Sequence, residues 1–169
     1  LWQTINWTPT TVIDSHPEGT DRLAFSPDGE TLATSSSEYD NGAIILSRVT
    51  DGERLGVLEG HTNTMSDMVF SPDGQTLISA SYDDTVKIWR VADGTLMATL
   101  KLDDESSPSA VAISPDGALI ATGGFPGNTL HLWRAADGVL LATLNGGYSG
   151  EMSALAFASD GKLLAAGAE

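Results

Sequence analysis

The stretch Met68-Val69-Phe70-Ser71-Pro72-Asp73-Gly74-Gln75-Thr76-Leu77-Ile78-Ser79-Ala80-Ser81 decides the fold of this chain. Two short apolar and β-branched runs flank a Ser-Pro-Asp-Gly tetrapeptide. Runs of that length and composition read as strands, and Asp-Gly reads as the turn of a hairpin: glycine accepts positive φ and aspartate caps the turn locally. Working outward, Ser-Pro-Asp-Gly stands again at Ser26 to Gly29 and at Ser114 to Gly117. A worn copy, Ala158-Ser159-Asp160-Gly161, ends the series, with the glycines 45, 43 and 44 residues apart. A second marker keeps the same phase: Trp2, Trp89 and Trp133, with Ser47 where the missing tryptophan would fall. Two markers in one phase define a repeat of about 44 residues.

Within a repeat the period is that of strands. Thr85-Val86-Lys87-Ile88-Trp89 and Leu96-Met97-Ala98-Thr99-Leu100 complete the second repeat, and no segment carries a helical stripe. Asp-Gly occurs seven times, beginning at Asp28, Asp51, Asp73, Asp93, Asp116, Asp137 and Asp160, at intervals of 20 to 23 residues. A tight turn after every second strand makes an up-and-down meander with all seven turns on one face. The chain is therefore all-β.

Composition narrows the function classes. The 169 residues carry a formal net charge of −15, from 23 acidic and 8 basic side chains. Nucleic-acid and anionic membrane surfaces call for basic stripes, and none exists here. Acidity of this size keeps a protein dissolved and gives a weaker pointer to basic partners. No run approaches the roughly 20 apolar residues of a membrane-spanning helix. Cysteine is absent, which removes disulfides and thiolate metal sites and suits the cytoplasm. The chain starts at Leu1 without an initiator methionine or a signal sequence, and reads as beginning inside a longer gene product.

The second repeat in full, Gly60-His61, Met68 to Gly74, Ser79-Ala80-Ser81-Tyr82-Asp83 and Thr85-Val86-Lys87-Ile88-Trp89-Arg90, resembles the WD-repeat family over essentially the whole chain. The resemblance implies a β-propeller built of four-stranded antiparallel blades. Departures are clear: Arg90 and Arg134 follow the tryptophans where the family has aspartate, Ser47 replaces one tryptophan, and the third repeat lacks the histidine. The family's buried network, carried over, falls on His61, Ser79 or Ser81, Asp83 and Trp89. The first repeat keeps His16 and Asp40, the third keeps Trp133, and the fourth has Tyr148 at the histidine position. A Ser-His-Asp set also suggests a catalytic triad. A mid-strand serine that shares its bonds with an indole, however, lacks the strained turn and oxyanion donors of a nucleophile. No catalytic, cofactor or metal residues are assigned.

Strand bookkeeping then divides the chain into a half blade at 1–14 (third and fourth strands, Leu1-Trp2 and Thr11-Val12-Ile13), blades at 15–59, 60–102 and 103–146, and a half blade at 147–169 with first and second strands. The halves are complementary. Three closures satisfy this: a four-bladed ring, an eight-bladed ring of two chains sharing their mixed blades, and an excerpt of a longer propeller. A lone open arc would leave strand edges unpaired.

The face opposite the Asp-Gly turns carries the loops between blades and the turns from second to third strands, which vary in length. An aromatic stands in each such turn: Tyr39, Tyr82 and Phe125. Thr20, Arg22, Thr64, Ser66, Asp67 and Glu151 are expected on the same surface, which suits a protein or peptide ligand. His131 is expected to be solvated, and Asp103-Asp104-Glu105 offers carboxylates to a hard cation such as calcium without the glycine spacing of a calcium loop. The reading is a non-enzymatic binding scaffold, with self-assembly or a catalytic or ion-binding propeller as rivals.

Overall fold

The computed structural model describes residues 1–4, 8–13, 16, 19–36, 42–102, 106–125, 129–145 and 150–168. Their regular structure is entirely strand. The first four-stranded meander runs β1 (Arg22–Phe25), β2 (Thr31–Ser35), β3 (Ile44–Arg48), β4 (Arg54–Leu58). The second runs β5 (Met65–Phe70), β6 (Thr76–Ser81), β7 (Thr85–Arg90), β8 (Leu96–Lys101). The third runs β9 (Ser107–Ile113), β10 (Leu119–Phe125), β11 (Thr129–Arg134), β12 (Leu140–Asn145). A two-stranded sheet, β13 (Met152–Phe157) and β14 (Leu164–Ala168), follows. Each pair is antiparallel, and the sheets stack as the blades that the resemblance implies.

The tetrapeptide acts as a small hydrogen-bonded device. Gly74 N–H donates to the Ser71 carbonyl at 2.8 Å, closing the turn. Asp73 Oδ1 accepts from the Ser71 hydroxyl at 2.6 Å and from Gln75 N–H at 3.0 Å, while Ser71 Oγ accepts from Thr76 N–H at 2.9 Å. The turns at Ser26 and Ser114 repeat this pattern. The glycine closing it has φ of +69° to +73° in all four copies, a region that costs a side chain strain.

Blades bury their faces against each other rather than within one sheet. Blade 1 offers Ala33, Ile44, Leu46 and Leu58 to Met68, Phe70, Leu77 and Trp89 of blade 2. The other face of blade 2, with Ile78, Val86, Ile88 and Leu100, meets Val111, Ile120 and Trp133 of blade 3. Blade 3 in turn packs Ala121 and Leu130 on Met152, with Leu155, Phe157 and Leu164 around them. Polar links cross the same junctions near the inner strands. Ser66 Oγ donates to Pro108 O at 2.5 Å, Ser109 Oγ to Met152 O at 2.7 Å, and Val111 N–H to Asp67 Oδ2 at 2.9 Å.

At the start of the chain a single antiparallel bridge joins Trp2 to Pro9, and Gln3 N–H donates to Thr8 O at 2.8 Å. Leu1 and Thr11 to Ile13 are therefore held as a narrow loop-back rather than as two full strands. His131, expected to be solvated, is 1% exposed with its ring tilted against Trp133. The reason is packing: its strand is third of four in its blade, covered by neighbouring blades on both faces, as is Lys87 at the matching position.

Candidate functional site

Two groups of residues bear on function: the polar set under blade 2, and the rim where the second-to-third strand turns lie.

The structure brings His61, Ser79, Asp83 and Trp89 together. His61 Nδ1 lies 2.8 Å from Asp83 Oδ2, His61 Nε2 lies 2.8 Å from Ser79 Oγ, and Trp89 Nε1 donates to that same oxygen at 2.8 Å. A carboxylate can only accept, so Nδ1 carries the proton and Nε2 accepts from the Ser79 hydroxyl. Burial pushes the His61 ring below its ordinary pKa, against the opposing pull of Asp83. Burial alone would raise Asp83, but hydrogen bonds from Thr85, the Thr62 N–H and His61 outweigh it and hold the carboxyl below the usual range. The pair is a neutral imidazole on a carboxylate.

Every polar atom of that chain is used, from indole to hydroxyl to imidazole to carboxylate, and Ser79 is 0% exposed. Its oxygen faces an indole where a substrate carbonyl would have to approach. Ser81 sits apart from the chain: its hydroxyl lies 3.0 Å from both the Asn63 and Thr64 carbonyls and accepts from Asp83 N–H. It ties the second strand to the loop that carries His61.

Blade 3 keeps part of this arrangement with a substitute. Trp133 Nε1 donates to Thr122 Oγ1 at 2.9 Å, so threonine serves where blade 2 has Ser79. His16 is buried in blade 1; Asp40 and Tyr148 lie outside the described residues.

An arginine closes the third strand of each full blade. Structure gives it work: Arg48, Arg90 and Arg134 each reach the aspartate three residues on, at 3.0, 3.1 and 2.8 Å from Asp51, Asp93 and Asp137. The signal was present in the sequence as Arg-x-x-Asp-Gly, three times in one phase. These exposed pairs are worth little each, roughly 0–1 kcal/mol, but they neutralise part of the acidic turn face.

On the opposite rim, Tyr82 and Phe125 stand at equivalent places directly after β6 and at the end of β10, 42% and 52% exposed. Tyr39 lies outside the described residues. Thr20 and Arg22 are exposed, Thr64 and Glu151 half-buried. Ser66 and Asp67 depart from expectation, because the blade junction takes them. Ser66 is 5% exposed and donates across to Pro108, and Asp67 is half-buried and accepts from Val111. Burial raises the Asp67 carboxyl, against hydrogen bonds from Val111 and Met68 N–H. Arg22 Nε also crosses, donating to Ser66 O at 2.6 Å. Inner-strand residues near the rim thus hold blades together, while Tyr82 and Phe125 in the turns above them stay exposed.

Asp103, Asp104 and Glu105 lie outside the described residues. Among the described residues no three His, Asp or Glu side chains cluster as metal ligands. Shallow grooves open between outer strands on the Asp-Gly side, one of about 730 Å³ between blades 2 and 3 lined by Pro72, Met97, Pro115, Asp116 and Arg134. A similar one of about 510 Å³ lies between blades 1 and 2, so the grooves follow from blade geometry.

A model of the WD domain, G-beta repeat, matches residues 7–46, 52–90 and 94–134. The chain belongs to the WD-repeat family. The matched segments 52–90 and 94–134 each start in the turn before the fourth strand of one blade and run to the end of the third strand of the next. Among curated proteins, the chain is 30% identical over 120 residues to COMPASS component SWD3 of Saccharomyces cerevisiae. That alignment takes in 69% of this WD chain and 36% of the yeast protein, so the chain spans about a third of its relative. Among solved structures, the crystal structure of the computationally designed Ika4 protein superposes with a TM-score of 0.80 at 24% identity. It covers 96% of this chain and 92% of the designed one. That likeness speaks to the propeller fold alone. No helix among the described residues is long and apolar enough to cross a membrane.

Proposed function

We propose that this WD-repeat chain is a non-enzymatic platform that binds a protein or peptide on the rim opposite its Asp-Gly turns. The observation carrying the reading is the pair Tyr82 and Phe125. They are large aromatic side chains at equivalent turns of adjacent blades, exposed at 42% and 52%, above a rigid junction of buried serines. Aromatic rings lose little freedom on binding and make the energetic centre of many interfaces. Thr20, Arg22, Thr64 and Glu151 would border the contact, and the Tyr39 expected there from the sequence lies outside the described residues. A net charge of −15 favours a protein partner with basic character over nucleic acid or an anionic membrane. That a relative is named as a component of an assembly, COMPASS, is in keeping with a protein-binding role. The buried Ser79 argues against hydrolase chemistry, and the lack of cysteine suits a reducing compartment such as the cytoplasm.

The test is selection of peptides from a random library on the 169-residue chain, followed by affinity measurement on a Tyr82→Ala, Phe125→Ala double variant. A hot-spot pair predicts a loss of about 30-fold or more. Exposed positions predict a melting temperature within about 2 °C of the parent. Unchanged affinity would move the binding face elsewhere, and a collapse in melting temperature would make both rings structural.

A further inference from the structure

Seven Asp-Gly pairs turn the chain, and six of their carboxylates are held at two points. At Asp28, Asp73 and Asp116, Oδ1 accepts from a serine hydroxyl at 2.5, 2.6 and 2.5 Å and from the N–H two residues on at 2.9, 3.0 and 3.0 Å. At Asp51, Asp93 and Asp137, Oδ1 accepts from the N–H two residues on at 3.0, 3.0 and 3.2 Å, and Oδ2 takes an arginine at 3.0, 3.1 and 2.8 Å. Asp160 is the exception. Among the described residues its carboxylate has one bond, accepting from Lys162 N–H at 3.1 Å.

The cause is local and lies in two residues. Ala158 stands where the other copies have Ser26, Ser71 and Ser114, and Ser159 stands where they have Pro27, Pro72 and Pro115. Alanine lacks the hydroxyl that grips the aspartate and that also accepts the N–H of Thr31, Thr76 or Leu119 at 2.9 Å. Serine lacks the ring that fixes φ at the second turn position. The backbone nevertheless keeps the common shape. Gly161 has φ of +69°, its N–H donates to Ala158 O at 2.9 Å, and Ala158 N–H donates to Leu163 O at 2.9 Å. Asp160 is exposed, and so are Asp73 and Asp116, each in a blade packed on both faces. The four turns therefore match in backbone and in aspartate exposure and differ in the lock.

We propose that Asp160-Gly161 is a site of spontaneous backbone modification, at which aspartate converts to isoaspartate through a cyclic imide. The Gly161 nitrogen attacks Asp160 Cγ, the new C–N bond closes a five-membered ring, and the carboxyl hydroxyl and the amide proton leave as water. A second water opens the ring at either carbonyl. Opening at Cγ restores aspartate. Opening at the α-carbonyl routes the chain through the side-chain carbon and frees the α-carboxylate. One water leaves and one enters, so mass is unchanged and no oxidant or cofactor takes part.

Two conditions gate the ring closure. Cγ must swing onto the following nitrogen, a near-attack geometry that a carboxylate pinned at two points reaches only by breaking both bonds. The carboxyl must also be protonated, since hydroxyl leaves from the neutral acid far more readily than oxide from the carboxylate. In the three Ser-Pro-Asp-Gly turns the serine hydroxyl, followed by the N–H two residues on, holds the aspartate below its ordinary pKa. At Asp51, Asp93 and Asp137 the N–H of Glu53, Thr95 and Val139 leads, with the arginine adding to it. The same bonds thus oppose both conditions at six sites. An isoaspartate at Asp160 would add one backbone atom to the turn between β13 and β14 and leave there a free carboxylate of the class that isoaspartyl carboxyl methyltransferases esterify. The inference does not rest on the peptide-binding face, which lies on the opposite rim.

The experiment ages the folded 169-residue chain in warm neutral buffer, then unfolds samples and digests them with endoproteinase Asp-N, which cuts before aspartate and not before isoaspartate. Cleavage before Asp160 should be lost about tenfold faster than before any other aspartate of an Asp-Gly pair, the factor carried by one hydrogen bond to a charged group. In denaturant, where no lock exists, all seven should convert alike. Ala158→Ser restores the missing hydroxyl and should slow Asp160 to the rate of Asp116 without altering the other sites. Equal loss at every site of the folded chain, faster loss at another site, or an unaltered rate in Ala158→Ser would overturn the proposal.

Discussion

At the scale of single residues, His61 is the sharpest case of a side chain whose surroundings set its chemistry. It is 2% exposed, neutral, and bonded at both nitrogens. Because burial lowers its pKa in the folded state, the unfolded chain takes up a proton that the folded chain refuses. Above about pH 6.5, the ordinary histidine value, both states are neutral and the group adds no pH dependence. As pH falls below that value, stability falls with it. Asp83 is held low, and its contribution is lost only as pH drops through its folded pKa, below the usual carboxylate range. Between about pH 6.5 and 5 the histidine lowers stability as pH falls, while Asp67, whose carboxyl burial raises, works in the opposite sense as it takes up its proton. The melting temperature of the parent chain should decline across that window, and His61→Gln should flatten the decline; an equal slope in both would place its source elsewhere.

At the scale of elements, each strand pair carries its own turn chemistry, but the spacing between blades depends on what sits at the junction. In β10 the register shifts between Gly123 and Gly124, and both are buried. A Cβ on Gly123 would stand 2.1 Å from Met152 Sδ, and one on Gly124 would stand 2.4 Å from the Ser107 carbonyl oxygen. The methionine end can swing aside, whereas the carbonyl belongs to the neighbouring strand's backbone. Gly124→Ala should cost roughly 1–3 kcal/mol, more than Gly123→Ala, read from the denaturant midpoint of each variant. The reverse order would mean that β13–β14 docks by a rigid Met152 contact.

For the whole molecule, charge is the collective term that salt adjusts most directly. With a net charge of −15 and acidic turns gathered along one rim, the fold works against its own repulsion. The Arg48, Arg90 and Arg134 pairs offset part of it. Salt screens the remainder, with a Debye length falling from about 30 Å near 0.01 M to about 8 Å near 0.15 M. The melting temperature should therefore rise over that range of sodium chloride. A fall would show that the arginine pairs, which salt also weakens, outweigh the repulsion.

The all-β meander, its blade phase and its turn positions were legible in the sequence because each rests on local chemistry. The turn from Ser71 to Thr76 needs only its own six residues to close a hairpin, and strand alternation is a property of consecutive side chains. The His61, Ser79, Asp83, Trp89 set was legible through family resemblance, since its members lie up to 28 residues apart and spacing alone does not join them. Ser66, Asp67 and His131 were misplaced for one shared reason: whether a strand residue meets solvent or a neighbouring blade is decided by blade-on-blade packing, which no local pattern encodes. The order of strands within a blade was thus written in the sequence. What only the tertiary structure decided was how blades sit on one another, because that depends on contacts between residues some 42 to 44 positions apart, such as Ser66 with Pro108 and Asp67 with Val111.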